Sequence, residues 1–117
     1  MSGIVRTAPI TDVASPSLGA LQLDVHPEGD QCVVLATGEL DRATRDQLIV
    51  ASTAGNHRQM LIDLSAVTFM DCGGYGGIVA SRLLVERDGR TLTIRGVTGQ
   101  PQRLLDLISL RAWHEVK

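Results

Sequence analysis

Aromatic residues are nearly absent from this sequence. Phe69, Tyr75 and Trp113 are the only three among 117 residues, and the formal net charge is -2 with a pI near 5.8. Proteins that bind single-stranded nucleic acid usually stack bases on several aromatic side chains within a basic groove. The chain has neither those aromatics nor a cluster of Lys and Arg, and nucleic acid is therefore excluded from the expected partners.

Long apolar runs and a cysteine framework are missing as well. No run approaches the roughly 20 apolar residues of a membrane-spanning helix, and no apolar segment follows a charged N-terminus as in a secretory signal. Cys32 and Cys72 are too few for a disulfide scaffold or a zinc site built from thiolates, and His26, His57 and His114 show no metal-ligand spacing. We expect a cytoplasmic protein without direct membrane insertion, metal or other cofactor.

What the sequence does have is enough aliphatic side chain for one core. Hydrophobic residues make up 44% of the chain and charged residues 21%, a balance typical of a single globular domain. Residues 1–19 mix Ser, Thr, Pro and Gly without a sustained period, and a flexible extension is predicted there. The folded domain is expected over residues 20–117.

Hydrophobic periodicity predicts strands that alternate with helices. An opening hairpin joins strands at 21–25 and 32–36, and Gly38 closes the second of them. There follow a helix capped by Asp41, a strand at 60–64, a loop with Val67 and Phe69, a helix capped by Asp71, a strand at 92–94, a helix with Pro101 in its first turn and a short edge strand at 112–117. This order predicts an α/β domain with a mixed, largely parallel sheet of about four or five strands packed with about three or four helices.

Four glycines stand in five positions at the start of the second predicted helix, in the segment Asp71-Cys72-Gly73-Gly74-Tyr75-Gly76-Gly77. Each interior Gly costs about 0.8 to 1 kcal/mol relative to Ala. Two interpretations are equally good: close approach of a partner surface, or tight packing of this helix inside the protein. Nucleotide-binding motifs do not fit, because Ile78 and Val79 follow the last glycine where a phosphate-binding loop needs Lys and Ser or Thr.

Cys72 stands at the start of that helix, where the partial positive charge of the helix N-terminus favours a thiolate. Catalysis would also need a base, and nothing in the sequence aligns His26, His57 or His114 with this thiol. Three interpretations stay open: a catalytic nucleophile, a redox-sensing thiol and a small unreactive residue. A disulfide to Cys32 stays open too, because the sequence does not give the distance.

Two motifs in this chain resemble the STAS domain of anti-sigma factor antagonists. The first is Thr37-Gly38-Glu39-Leu40-Asp41 followed by Thr44 and Leu48, and the second is Ile62-Asp63-Leu64-Ser65 followed by Val67 and Phe69-Met70-Asp71-Cys72-Gly73-Gly74. The similarity extends from about residue 20 to about residue 116. It implies a binding module, not an enzyme, that binds an anti-sigma factor of the histidine-kinase-like ATPase class and releases the sigma factor which that kinase sequesters.

The resemblance also implies a regulatory position. The family's segment typically reads Asp-Ser-Ser/Thr-Gly, and the anti-sigma kinase phosphorylates its first Ser, which is Cys72 in this chain. A thiol cannot be phosphorylated by the same chemistry. The resemblance therefore implies an antagonist that is constitutive or thiol-regulated, or a domain that no longer takes part in sigma regulation. Thr44, Ser65 and Thr68 are alternative phosphoacceptors. The implied partner-binding residues are Gly38, Glu39, Leu40, Asp41, Asp71, Cys72, Gly73, Gly74, Tyr75 and Arg82, with Glu86 on the same helix face.

Two further function classes stay open. A STAS-like domain can serve as a non-catalytic subunit of a membrane transport ATPase, and loss of the phosphoacceptor is compatible with that role. The partner distinguishes the two, since a soluble histidine-kinase-like ATPase supports the antagonist and an ABC-type ATPase in a membrane fraction supports the transport subunit. An enzyme is the third class, and it would require a cleft with a base near Cys72.

Overall fold

The computed structural model describes residues 20–109, and this range folds into one sheet with helices. The strands are β1 (Leu21–Glu28), β2 (Gln31–Leu40), β3 (Gln59–Met70) and β4 (Thr91–Arg95), and the helices are α1 (Arg45–Thr53), α2 (Cys72–Arg87) and α3 (Gly99–Ser109). The strand order is β1-β2-β3-β4, with β1 antiparallel to β2 and the other pairs parallel. The predicted α/β class with a mixed, largely parallel sheet is confirmed. The predicted extension at 1–19 and edge strand at 112–117 lie outside the described residues.

The core lies on one face of the sheet. Val34, Ile62 and Ile94 are direct neighbours across β2, β3 and β4, and successive side chains of a strand point to opposite faces, so these three share a face. Leu48 of α1 and Ile78 of α2 are fully buried in the same cluster. The two helices therefore cover this face. No helix within residues 20–109 is long and apolar enough to span a bilayer.

Strand β3 is longer than the sequence predicts. The predicted loop at Val67 and Phe69 is wrong, because β3 continues to Met70. Strand β2 likewise continues past Gly38, which pairs with Val67, to Leu40, which pairs with Met70. Two register shifts interrupt this pairing, and such bulges break the alternation by which a strand is identified in a sequence. The extension carries both motifs to the carboxyl edge of the sheet.

The start of α1 also differs from the prediction. Asp41 is not its N-cap, since the helix begins at Arg45 and Thr44 occupies the cap position without a side-chain capping bond. The Asp41 carboxylate accepts hydrogen bonds from the backbone N–H groups of Ala43 at 3.0 Å and Thr44 at 3.1 Å. Asp favours turns of this kind because its carboxylate mimics a backbone acceptor. Asp41 thus closes a turn that precedes the helix.

Helix α3 is fastened to the end of β3. The Gln100 side chain accepts a hydrogen bond from the Met70 N–H and donates one to the Met70 carbonyl, both at 2.9 Å. Pro101 is fully buried and lies in the first turn of α3, as predicted. These contacts hold the last residue of β3 in place directly before Asp71.

Two buried serines on the helices offer a matched test of the packing. Ser52 and Ser81 are both fully buried, but the Ser81 hydroxyl donates to the Gly77 carbonyl at 2.9 Å whereas the Ser52 hydroxyl has no partner within residues 20–109. An unsatisfied buried hydroxyl costs about 1 to 3 kcal/mol. We expect Ser52→Ala to raise the free energy of unfolding by about 1 kcal/mol and Ser81→Ala to leave it unchanged or lower it. Urea denaturation of both variants measures this, and equal effects would contradict the assignment.

Candidate functional site

The candidate site lies where β2 and β3 end side by side. Leu40 pairs with Met70, and the Asp71 N–H donates to the Leu40 carbonyl at 3.4 Å. From this edge the chain leaves β2 through the Asp41 turn into α1 and leaves β3 directly into α2. The last residues of both sequence motifs therefore meet at one edge of the sheet.

Asp71 fixes the first turn of α2. Its carboxylate accepts a hydrogen bond from the Gly74 N–H at 2.8 Å, which makes it the N-cap as predicted, and a cap of this type stabilises by about 1 kcal/mol. Its carbonyl accepts from the Tyr75 N–H at 3.0 Å. Cys72 is the first residue of the helix, and its thiol is free and exposed. The cap thus presents this thiol to solvent at the head of α2.

The first two glycines of α2 are required by packing inside the protein. A Cβ atom on Gly74 would overlap the Leu40 carbonyl group, which belongs to the neighbouring strand end. A Cβ atom on Gly73 would lie 2.9 Å from the Cα of Arg42 in the turn before α1. Both neighbours are backbone atoms and cannot move aside as the end of a flexible side chain would. The helix can approach β2 this closely only because these side chains are absent.

The other two glycines differ from each other. A Cβ atom on Gly77 would lie 2.8 Å from the Cβ of Arg45, whereas a Cβ atom on Gly76 would find the Arg45 Nη1 at 3.7 Å, an ordinary contact. Gly77 therefore allows α1 to pack closely on α2, and Gly73 allows the turn before α1 to do the same. Of the two interpretations left open by the sequence, internal packing accounts for three glycines, and only Gly76 has room for a side chain.

A surface cavity opens beside the head of α2. Its volume is about 590 Å³, and it is lined by Arg42, Arg45, Asp71, Cys72 and Gly73. Neither guanidinium forms an ion pair or hydrogen bond with another residue in the range 20–109. Sequence reasoning missed both arginines, although Arg42 directly follows Asp41 and Arg45 directly follows Thr44, two residues of the first motif.

The three alternative phosphoacceptors differ in access. Thr44 is only 7% exposed, and its hydroxyl donates to the Glu39 carbonyl at 3.0 Å. Ser65 is exposed and donates to Asp63 at 2.7 Å; hydrogen bonds from the Ser65 N–H and hydroxyl lower the pKa of the Asp63 carboxyl. Thr68 is exposed and donates to the Gly38 carbonyl at 3.3 Å. Thr44 therefore holds the turn together from inside, while the other two face solvent.

Of the predicted site residues, only Asp71, Cys72 and Gly73 line the cavity. Glu39 precedes Leu40 in β2, and because Leu40 points into the core, Glu39 points to the other face of the sheet. Tyr75 is half-buried and packs against the core cluster. Arg82 forms an ion pair with Glu86 at 3.0 Å, and it lies roughly 15 Å along α2 from Cys72. A surface that includes all of the predicted residues would have to extend along the whole helix.

An apolar line runs along the exposed side of α2 from Cys72. Val79 and Leu83 continue it beyond Gly76 at helical spacing. Leu84 is also exposed, but it lies about 100° around the helix from Leu83. The Leu83 side chain is 60% exposed and that of Leu84 is 39% exposed. Sequence reasoning missed Val79 and Leu83, although both lie opposite the helix face that the apolar periodicity assigns to the core.

The two thiols lie at opposite ends of the sheet. Cys32 is the second residue of β2 and is buried, and Leu40, at the end of that strand, lies roughly 26 Å further along. Burial raises the pKa of the Cys32 thiol, with a smaller contribution from the charge of Glu28. A disulfide to Cys72, left open by the sequence, is incompatible with this separation.

The described histidines also lie far from Cys72. His26 pairs with Val33 near the start of β2, and His57 comes just before Gln59, the first residue of β3. Both belong to the end of the sheet opposite the cavity, and His114 lies outside the described residues. Within residues 20–109, no three side chains of His, Cys, Asp or Glu are grouped as a metal site would require.

Comparison with known proteins agrees with this geometry. Residues 23–113 match the family model described as "Mlab, STAS domain". An anti-sigma factor antagonist from Mycobacterium paratuberculosis is 25% identical, with a TM-score of 0.65 and coverage of 82% of each chain. The STAS domain of an antisigma-factor antagonist from Rhodobacter sphaeroides is 19% identical, with a TM-score of 0.59 and coverage of 70% of this chain and 90% of that one.

A transport protein has a similar fold within a longer chain. Murine Solute Carrier 26 family member A9, an anion transporter, is 16% identical with a TM-score of 0.59, and the match covers 78% of this chain but 15% of the transporter. The family model spans most of the present chain, and the resemblance found in the two sequence motifs is confirmed. This protein therefore belongs to the STAS domain family and is similar to anti-sigma factor antagonists.

Proposed function

We propose that this protein is an anti-sigma factor antagonist that binds a histidine-kinase-like anti-sigma factor in the cytoplasm and releases its sigma factor. The observation that supports this most directly is Cys72, exposed at the capped head of α2, in the position where the second motif resembles the family's phosphoserine segment. Similarity to a known antagonist over 82% of the chain adds to it. The role is binding without catalysis.

The proposed binding surface combines the two strand ends with the exposed side of α2. Asp41 and Asp71 contribute through the backbone that they shape, because their carboxylates accept hydrogen bonds from the N–H groups of the Asp41 turn and of α2. Cys72 and Gly73 then form the surface that a partner touches. The glycine contacts with the Leu40 and Arg42 backbone keep this surface in one shape.

Cys72 also determines how the proposed antagonist is regulated. Phosphorylation of a serine would place about -1.5 to -2 charges at the centre of this surface, and a thiol does not accept that modification by the same chemistry. The antagonist is therefore constitutive, or it is controlled by oxidation of the exposed thiol. A peroxide would oxidise it to a sulfenic acid with release of water, and exchange with a small-molecule disulfide would give a mixed disulfide with release of one thiol. Cys32 is buried and does not compete for oxidants in the folded protein.

Affinity capture with the full chain tests the proposal. Native lysate and a detergent-extracted membrane fraction are passed over the immobilised protein with and without reductant, and retained proteins are identified by mass spectrometry. We expect a histidine-kinase-like anti-sigma factor among the specific partners, and dependence on reductant would assign the switch to the thiol. Because most interface truncations cost little, Cys72→Ala should weaken binding less than about fivefold. Absence of any such anti-sigma factor would contradict the proposal.

A non-catalytic subunit of a membrane transport ATPase is the second candidate. The observation that favours it is the murine anion transporter, in which the similar fold makes up 15% of a longer transport protein. In the same capture experiment this candidate predicts an ABC-type ATPase in the detergent extract and no anti-sigma factor.

A further inference from the structure

We infer that the partner of this protein presents an amphipathic helix with an acidic side chain at one end. Arg42 and Arg45 receive the carboxylate, and the apolar side of the partner helix packs along the exposed side of α2. The inference rests on the proposed function and specifies the chemistry of its partner.

The two guanidiniums are available for an outside acceptor. Arg42 is exposed and Arg45 is half-buried, and both line the cavity beside Cys72. Neither side chain forms an ion pair or hydrogen bond to the rest of residues 20–109. The stem of Arg45 lies against Gly77 and its Nη1 lies near Gly76, which places the charge over the first turns of α2. A guanidinium carries five N–H donors in a planar fork that matches a carboxylate.

The neighbouring carboxylates of Asp41 and Asp71 do not pair with these guanidiniums. The Asp41 carboxylate accepts from the N–H groups of Ala43 and Thr44. The Asp71 carboxylate accepts from the Gly74 N–H. Both are thereby directed at the backbone, and neither lies within ion-pair distance of Arg42 or Arg45 among the described contacts. Within residues 20–109, no carboxylate pairs with the two arginines, and under this inference the partner supplies it.

The apolar line on α2 indicates what accompanies that carboxylate. It runs from Cys72 to Leu83, roughly 16 Å or three helical turns, and Leu83 is the more exposed of the two exposed leucines on this helix. A partner helix of similar length can seat its apolar ridge beside such a line. The arginines lie at one end of the line and the Arg82–Glu86 ion pair lies toward the other, so the partner's acidic residue is expected at one end of its helix.

Charge reversal in the full chain tests the inference. The probe is the recombinant histidine-kinase-like anti-sigma factor that the wild-type chain retains from lysate, and its Kd is measured by calorimetry at low and raised salt. We expect the double variant Arg42→Glu/Arg45→Glu to weaken binding by about 30-fold or more and to lose most of the salt dependence. Matched controls are Arg58→Glu, at the opposite end of the sheet, and Arg87→Glu, at the far end of α2; both residues are exposed, and both variants should retain wild-type affinity.

A second pair of variants tests the apolar line. Leu83→Ser should weaken binding by about tenfold, whereas Leu107→Ser, on α3 and 70% exposed, should not change it. A partner acid-to-Arg substitution that restores binding to Arg45→Glu identifies the paired residue. Unchanged or tighter binding by the double arginine variant overturns the inference and leaves the proposed function standing. Failure of the wild-type chain to bind any such anti-sigma factor overturns both.

Discussion

Replacing Gly74 by Ala is expected to lower the free energy of unfolding by about 3 kcal/mol or more. The added Cβ would overlap the Leu40 carbonyl group, which is fixed by the pairing of β2 with β3. Relief would require α2 to move away from the sheet and expose Ile78 and Val85, both fully buried now. Urea denaturation followed by circular dichroism measures the change.

Gly76→Ala is the matched control for that variant. It introduces the same atom two residues further along the same helix, where the nearest neighbour is the flexible end of Arg45 at 3.7 Å. Ala is a better helix former than Gly by about 0.8 to 1 kcal/mol, so Gly76→Ala should stabilise the protein by up to that amount. Similar losses for both variants would show that the glycines are needed for a reason other than the Leu40 contact.

A carboxylate at position 72 is expected to abolish most of the partner binding. Cys72→Glu should weaken the affinity for the anti-sigma factor by about 100-fold or more, because it brings a charge to the centre of the proposed surface. The new carboxylate would also occupy Arg42 and Arg45 from within the chain. An acidic residue in the first turn of a helix is favourable for the helix itself, so the variant should stay folded. Calorimetric titration of the anti-sigma factor measures the loss.

Cys72→Gln separates charge from size in this experiment. Gln and Glu side chains have nearly the same shape, but Gln carries no charge. Cys72→Gln should therefore weaken the affinity for the anti-sigma factor much less than Cys72→Glu does. Thermal denaturation of both variants checks that neither has lost its fold. Equal losses for Gln and Glu would mean that space rather than charge controls binding here, and an oxidised thiol would then act through its bulk.

The parts of the fold that follow a regular period were predictable. The hairpin, the order of strands and helices and the Asp71 cap all rest on alternation or on capping chemistry within a few residues. The end of β3 was not predictable from period, because bulges shift the pairing around Gly38 and place Val67 and Met70 inward three residues apart. The Asp41 turn was mistaken for a cap because an Asp before a helix serves either purpose with the same carboxylate.

The sequence predicts where the site lies, but not the two positively charged arginines that line it. The two motifs indicate the edge where β2 and β3 end, and the structure brings them together there. Which glycines pack inside depends on how closely α2 lies to Leu40 and Arg45, a distance that no local pattern encodes. The same holds for Arg42 and Arg45, since whether an arginine is paired depends on neighbours that are distant in the sequence.

The head of α2 is held from several sides by backbone and cap contacts. The Leu40 carbonyl accepts a hydrogen bond from the Asp71 N–H, and the Asp71 carboxylate caps α2 by accepting one from the Gly74 N–H. The Gln100 side-chain amide binds both the N–H and the carbonyl of Met70. A surface that is already ordered loses little conformational entropy when a partner arrives, so docking needs no preceding rearrangement. Diffusion and electrostatic steering would then set the association rate, whereas substitutions of contact residues would mainly change the dissociation rate. Under the proposed function, the residence time of the complex determines how long the sigma factor stays free.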